Sequence, residues 1–490
     1  MSPDAPACPL VPPADPVTLA IFGATGDLAT RKIFPALAAL CRNQLLRDDT
    51  RIIAVGRADM TQGHYHAQLG QKLTGVIPES CLASLLAKTS YLRMDPDIPE
   101  SARALARALD SVDGTAAINR LFYLAVPPSA YIPLVTRLGE AGLGHEPAGA
   151  SARIVVEKPF GRDLSSAQEL DQALHLYFRE DQIFRIDHYM AKETVQNLLM
   201  LRFANALFEP LWNRRHIDHV RITAAESLGI GHRSGFYDQA GVLRDMFQNH
   251  MMMLLALCAM EPPSRFEAEL IRDERSKVFR ALRPLDPDHL DDILILGQYG
   301  PGTIDGHAVP GYLQEPGINP TSTTPTFARM KIFLDNWRWQ GVPFHLCSGK
   351  RLAAKRTEIV IQFREVPVSM FPSGAAIPPN RLVLGIHPDE VVRLEVQTKG
   401  LGSTPCPSSR SLEFSYGAES VLGRIDDYAK VLLDCIVGDQ TLFWRQDAVE
   451  LCWGFLTPIL DRRDHPGPRP PLHAYPAGGP GPRPAPRIRP

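Results

Sequence analysis

The run Val17-Thr18-Leu19-Ala20-Ile21-Phe22 is short, apolar and rich in β-branched residues, and Gly23-Ala24-Thr25-Gly26-Asp27-Leu28 turns it into a helical pattern that continues through Leu40. A second such run, Arg51-Ile52-Ile53-Ala54-Val55-Gly56-Arg57, follows at the interval of a β-α-β unit. Strands joined by a helical crossover pair in parallel, and a parallel sheet needs cover on both faces. Further strands are expected at 121–126 and 153–157, with helices around 80–88, 101–111 and 165–178. These elements predict an α/β, Rossmann-like dinucleotide-binding domain over residues 17–185.

At 490 residues the chain exceeds what one hydrophobic core supports, so a second domain is expected. The texture changes near residue 185: a helix, an alternating strand at 219–226, an apolar helix over 241–260, then β-like runs at 293–299, 327–334, 358–363, 381–386 and 391–397. Strands without intervening helices predict an α+β domain over 186–463, built on a large, mainly antiparallel sheet covered by helices. Such a sheet often carries a subunit contact, which points to a homodimer or homotetramer. Residues 1–16 read as a disordered Pro-rich start and 464–490 as an extended or disordered Pro/Arg-rich tail.

A formal charge of −2 from nearly balanced acids and bases argues against nucleic acid or a membrane surface as a partner, so any anionic ligand must be held by a local site. Eight cysteines without CxxC or Cys/His spacing fit a reduced compartment and suggest no metal site. The longest apolar run, 251–260, is too short to cross a bilayer, and the first residues lack a secretory pattern; a cytoplasmic location is expected.

Several groups carry chemistry, each with a plain alternative. The glycines Gly23 and Gly26 form either a pyrophosphate cradle at a helix start or a tight turn, and their place between strand and helix favours the cradle. Arg57, where NAD-preferring sites commonly place an acid, suits a 2′-phosphate and so NADP, with Arg31 and Lys32 nearby; otherwise it is a solvated loop cation. Pro127 and Pro128 either wall a nicotinamide or simply end their strand. Lys158 follows the carboxyl end of a strand, where ligands bind in such sheets.

The stretch Arg185-Ile186-Asp187-His188-Tyr189-Met190-Ala191-Lys192 collects groups able to hold a proton or a phosphate at a helix start, or is a surface cap. In Arg244-Asp245-Met246-Phe247-Gln248-Asn249-His250, Asp245 and Asn249 share a helix face, and His250 at its edge is either a proton acceptor or a hydrogen-bonded core residue. Lys350 and Lys355 lie in a basic loop that is a solvated face or part of a sugar-phosphate site.

Taken in order, Gly23-Ala24-Thr25-Gly26-Asp27-Leu28, Glu157-Lys158-Pro159-Phe160-Gly161, Arg185-Ile186-Asp187-His188-Tyr189, Arg244-Asp245 with Gln248-Asn249-His250, and Gly349-Lys350 resemble the glucose-6-phosphate dehydrogenase family over about residues 17–460. The resemblance implies oxidation of β-D-glucose 6-phosphate at C1 to 6-phospho-D-glucono-1,5-lactone, with the hydride passed to NADP, NAD being a secondary cofactor. That reaction opens the oxidative pentose phosphate route.

It further implies His250 as general base and Asp187 as its orienting acid, with His188, Tyr189 and Lys192 on the 6-phosphate. Glu226, Asp245, Lys350 and Lys355 match sugar-binding positions, and Lys158 one that meets both sugar and cofactor. Gly23, Ala24, Thr25, Gly26, Asp27, Leu28 and Arg57 are then the cofactor-binding set. No metal is required, because the nicotinamide takes the electrons. Met190-Ala191 replaces a common Leu-Gly, and the tail departs from the family's ending after Tyr475-Pro476-Ala477-Gly478.

Overall fold

A computed structural model describes residues 14–114, 117–371, 377–402, 406–415, 426–464 and 470–483. The expected Pro-rich start up to residue 13, and residues 465–469 and 484–490 of the tail, lie outside the described residues. The chain divides into two compact units, one of 14–161, 165–191 and 426–446, the other of 162–164, 192–415 and 447–483.

The first unit is built on a six-stranded sheet ordered β3-β2-β1-β4-β5-β6. Its strands are β1 (Val17–Phe22), β2 (Arg51–Gly56), β3 (Thr89–Arg93), β4 (Asn119–Leu124), β5 (Ala152–Val156) and β6 (Ile183–Arg185), and every pairing is parallel. Every residue of β1 is buried, as a strand covered on both faces requires. The order reverses between β1 and β4, where the carboxyl ends of the strands open a crevice.

Helix Asp427–Val437 and the loop to Gln446 return to this unit late in the chain. Arg153 on β5 donates to the carbonyls of Cys435 (3.2 Å) and Ile436 at the helix end. The Gln440 amide donates to the carbonyl of Ile183 at 2.9 Å, and Trp444 N–H to that of Arg185 at 3.1 Å. Phe443 packs edge-on to Phe184, ring centres 4.9 Å apart. These polar fastenings are spread singly along the segment and leave no periodic signature in the sequence.

The second unit holds a nine-stranded sheet, order β16-β15-β14-β13-β7-β12-β11-β8-β17. Its strands are β7 (Ile217–Ala225), β8 (Leu294–Gly300), β11 (Phe327–Ile332), β12 (Phe344–Gly349), β13 (Arg356–Phe363), β14 (Arg381–His387), β15 (Val391–Lys399), β16 (Pro407–Ser415) and β17 (Leu472–Pro476), while β9 (Gly302–Ile304) and β10 (His307–Val309) form a separate hairpin. The pairing is antiparallel except for β7 with β12 and β8 with β17. Strand β17 comes from the tail, whose composition suggested an unstructured chain; Tyr475, 2% exposed, is the anchor that holds it. No helix of the described residues is long and apolar enough to cross a membrane.

The apolar helix read over 241–260 is two helices wound differently. Gly241 has φ +61°, and a Cβ there would approach Arg463, Thr324 and Pro325, so only glycine makes this break cheaply. Leu243–Met251 is then π-wound and Met252–Ala259 is α-helical and fully buried. The π-winding carries Asp245 through His250 on one buried segment.

Candidate active site

In the first unit the crevice is a cavity of about 600 Å³ lined by Gly23, Thr25, Gly26, Arg57, Asp95, Ala125, Pro127 and neighbours. Gly23 has φ +75°, and a Cβ on it would stand 2.3 Å from the carbonyl oxygen of Ala125. That close approach of backbones is the physical reason for the first glycine. The N–H groups of Gly23 and Ala24 both donate to the carbonyl of Val55, and Gly26 N–H donates to that of Gly23. These amides make the turn itself, so a pyrophosphate would meet the next ones, at Asp27 and Leu28, where the helix begins.

Arg57 is exposed and lines the cavity. Arg31 is paired with Asp27 at 3.2 Å, and the Lys32 ammonium lies 5.4 Å from the ring centre of Tyr428; neither lines the cavity with Arg57. Pro127 does line it, at the end of β4. Turn and cavity thus fit a dinucleotide.

Lys158 is half-buried just past β5, beside the buried Glu157. Tyr123 donates its hydroxyl to Glu157 Oε1 at 2.6 Å, and Tyr131 donates to the Glu157 carbonyl at 2.9 Å. Burial raises the Glu157 carboxyl to about 7, against the Tyr123 hydrogen bond and the Lys158 charge, which pull it down, while Asp187 pushes it up. The sequence gives one signal for this acid, its place at a parallel strand's carboxyl end.

The Arg185–Tyr189 stretch closes β6 and passes through a 3₁₀ turn, His188–Ala191, before helix Glu193–Phe203 starts behind Lys192. Asp187 is 3% exposed, accepting from Tyr189 N–H on Oδ1 and from Met190 N–H on its carbonyl, both at 3.0 Å. His188 stacks on Tyr428, centres 6.0 Å apart and planes 16° apart, and meets Tyr189 edge-on at 5.3 Å. Tyr428 comes from the late helix, and nothing local in the sequence pairs it with His188.

Beneath this turn Arg185 reaches Asp171 Oδ1 at 2.6 Å and both oxygens of Glu180 at 2.9 Å. His175 bridges the same acids, Nδ1 to Asp171 at 3.0 Å and Nε2 to Glu180 at 3.2 Å. Those hydrogen bonds raise the imidazole to about 10, so it is a cation at neutral pH. Arg185 and His175 together balance the two carboxylates.

In the second unit Lys350 is 2% exposed directly after β12. Its ammonium bonds Glu226, lies 3.7 Å from Asp245 Oδ2 and sits 5.0 Å from the centre of the Tyr237 ring. The structure therefore brings together three predicted residues, Glu226, Asp245 and Lys350. Of the other three in this unit, Lys192 is half-buried and Lys355 exposed; His387 on β14 is depressed first by its partial burial and then by both of these charges, against Glu390 and Asp389. His250 is 1% exposed and accepts a place in the π-wound helix through its N–H, which donates to Asn249 Oδ1 at 2.6 Å. Gln248, fully buried beside it, has neither amide atom hydrogen-bonded among the described residues.

A parallel sheet with a glycine turn at its crevice, together with a second unit presenting a buried lysine between two carboxylates, defines the class: a two-unit, nicotinamide-type dehydrogenase. The family descriptions "Glucose-6-phosphate dehydrogenase, NAD binding domain" and "Glucose-6-phosphate dehydrogenase, C-terminal domain" match residues 20–197 and 199–489. The chain belongs to the glucose-6-phosphate dehydrogenase family. It is 44% identical to glucose-6-phosphate 1-dehydrogenase of Mycolicibacterium smegmatis, covering 96% of this chain and 95% of the relative, and 42% identical to that of Treponema pallidum, covering 96% and 92%. Among solved structures it is similar to a glucose-6-phosphate dehydrogenase in complex with its substrate glucose 6-phosphate, with a TM-score of 0.87 at 34% identity over 96% of this chain and 97% of the other. The Mycobacterium avium enzyme gives a TM-score of 0.81 at 36% identity, covering 96% of each chain.

Proposed function

We propose that this protein oxidises β-D-glucose 6-phosphate at C1 to 6-phospho-D-glucono-1,5-lactone, with NADP as preferred acceptor and NAD as a secondary one. The observation that carries the reading is the 0.87 TM-score, over nearly the whole of both chains, to an enzyme solved with glucose 6-phosphate. When bound, the nicotinamide accepts the hydride that leaves C1.

The chain's own residues manage the proton and the sugar. His250 takes the C1 hydroxyl proton as the carbonyl forms, a role that contributes roughly 10²–10⁴-fold. Asp187 fixes the imidazole tautomer and supports the imidazolium. Glu226 and Asp245 accept from sugar hydroxyls while Lys350, whose ammonium already lies against both carboxylates, donates. His188, Tyr189 and Lys192 hold the 6-phosphate, Lys355 joins the sugar-binding set, and Lys158 would meet both sugar and cofactor. Gly23, Ala24, Thr25, Gly26, Asp27 and Leu28 would hold the cofactor, with Arg57 toward its 2′-phosphate.

The reaction is the first step of the oxidative pentose phosphate route, carried out by a cytoplasmic homodimer or homotetramer with no nucleic-acid partner; the near-neutral net charge supports the last point. The test is NADP reduction followed spectroscopically with glucose 6-phosphate, for the natural chain and for His250→Asn. A fall in kcat of about 10²–10⁴-fold is expected for the variant; no turnover by the natural chain, or an unimpaired variant, refutes the reading.

A further inference from the structure

Strand β17 does more than extend the sheet. Tyr475 is its one fully buried side chain, flanked by exposed His473, Ala474 and Pro476. Its ring packs edge-on to Phe327, centres 5.7 Å apart, and to Tyr299 at 6.5 Å. Its hydroxyl donates to the main-chain carbonyl of Lys350 at 2.7 Å and lies 3.0 Å from Thr326 Oγ1. Lys350 N–H in turn donates to the Thr326 carbonyl at 2.9 Å. Beyond the strand, Gly478 N–H donates to the Arg351 carbonyl at 2.8 Å and Ala353 N–H to that of Gly479 at 3.1 Å. The turn so fastened is one that L-residues avoid, because Arg351 has φ +54°.

A lysine backbone held on its carbonyl, its N–H and the next carbonyl has little freedom to redirect its side chain. We propose that Tyr475 is a positioning residue for substrate binding: by fixing the Lys350 main chain, it sets the ammonium between Glu226 and Asp245. The inference rests on the reading of Lys350 as a sugar-binding residue.

Steady-state kinetics on the full chain decide it. Tyr475→Phe keeps the ring in its aromatic cluster and deletes only the hydroxyl. Its KM for glucose 6-phosphate should rise about fivefold, the worth of one net hydrogen bond, with kcat and the KM for NADP within about twofold. Lys350→Ala should raise the sugar KM further, and the double variant should be no worse than Lys350→Ala, because the tyrosine acts through that lysine. Thr326→Val, which leaves Tyr475 in place but removes its second partner, should move the sugar KM the same way by less, and it serves if Tyr475→Phe does not fold. Equal rises in both KM values, an additive double variant, or an unmoved sugar KM in Tyr475→Phe and Thr326→Val overturns the proposal. Inactivity of the natural chain, or an unaffected Lys350→Ala, overturns the reading of the site and this inference with it.

Discussion

Tyr123 on β4 and Glu157, just past the end of the neighbouring parallel strand β5, face each other, the tyrosine hydroxyl 2.6 Å from the carboxylate in a setting closed to water. One hydrogen bond does not offset the burial of a charge, and the carboxyl rises to about 7. The native state therefore binds a proton that the unfolded chain, titrating near the ordinary value of about 4.3, has already lost. Stability contributed at this site falls as pH rises from about 4 to about 7 and stays low above. Glu157→Gln keeps an acceptor for Tyr123 and removes the charge. Its melting temperature should match the natural chain at pH about 4.5 and exceed it at pH about 8; an equal offset at both would show that Glu157 does not titrate in this window.

His175 gives the opposite slope. Its folded value of about 10 lies above the ordinary one of about 6.5, so its contribution is whole below pH about 6.5 and lost as pH climbs through about 10. Its side chain is 30% exposed, so solvent screens part of the effect. His175→Gln should lower the melting temperature most near pH 6, with the deficit shrinking toward pH 10. A deficit independent of pH would mean that the ring acts by packing alone.

Arg57 lines the cavity with no acid in its place to receive a ribose hydroxyl. A guanidinium on a 2′-phosphate makes charge-assisted bonds, so Arg57→Ala should raise the KM for NADP about 10-fold or more and that for NAD less than about twofold. Equal losses for the two cofactors would show that Arg57 does not read the phosphate.

How far the chain could be read from its sequence follows from what kind of contact holds each part. Strands β1, β2, β4 and β5 stand out because strands buried on both faces are apolar runs, and their observed bounds lie within two residues of those expected. The sheet-edge strands β3 and β16 do not, since Thr89–Arg93 and Pro407–Ser415 are largely solvated and carry ordinary polar residues. Strand β12 went unread as well, because its buried Phe344–Gly349 run includes His345. The cluster of Glu226, Asp245 and Lys350 was legible only through motif order. The contacts of Tyr428, His387 and Tyr475 were not legible, because each has its partner far away in the chain. Arg31 and Lys32 looked like helpers for Arg57, but the helix carries them to Asp27 and Tyr428.

Gln248 presents the sharpest conflict between stability and use. It lies in the π-wound helix beside His250, is fully buried, and neither its amide oxygen nor its nitrogen finds a hydrogen-bond partner among the described residues. Such a side chain costs about 1–3 kcal/mol that an apolar one of similar size would not. A chain built only for stability would place leucine there, as it does along the buried helix that follows, Met252–Ala259. A polar group kept at that cost, two residues from the proposed base, is accounted for by work in the reaction cycle. Gln248→Leu should therefore raise the melting temperature by a few degrees while lowering kcat/KM for glucose 6-phosphate by about tenfold or more. Calorimetry and initial rates on the same preparation check both halves. A variant that is less stable, or as active as the natural chain, would show that Gln248 is a satisfied structural residue instead.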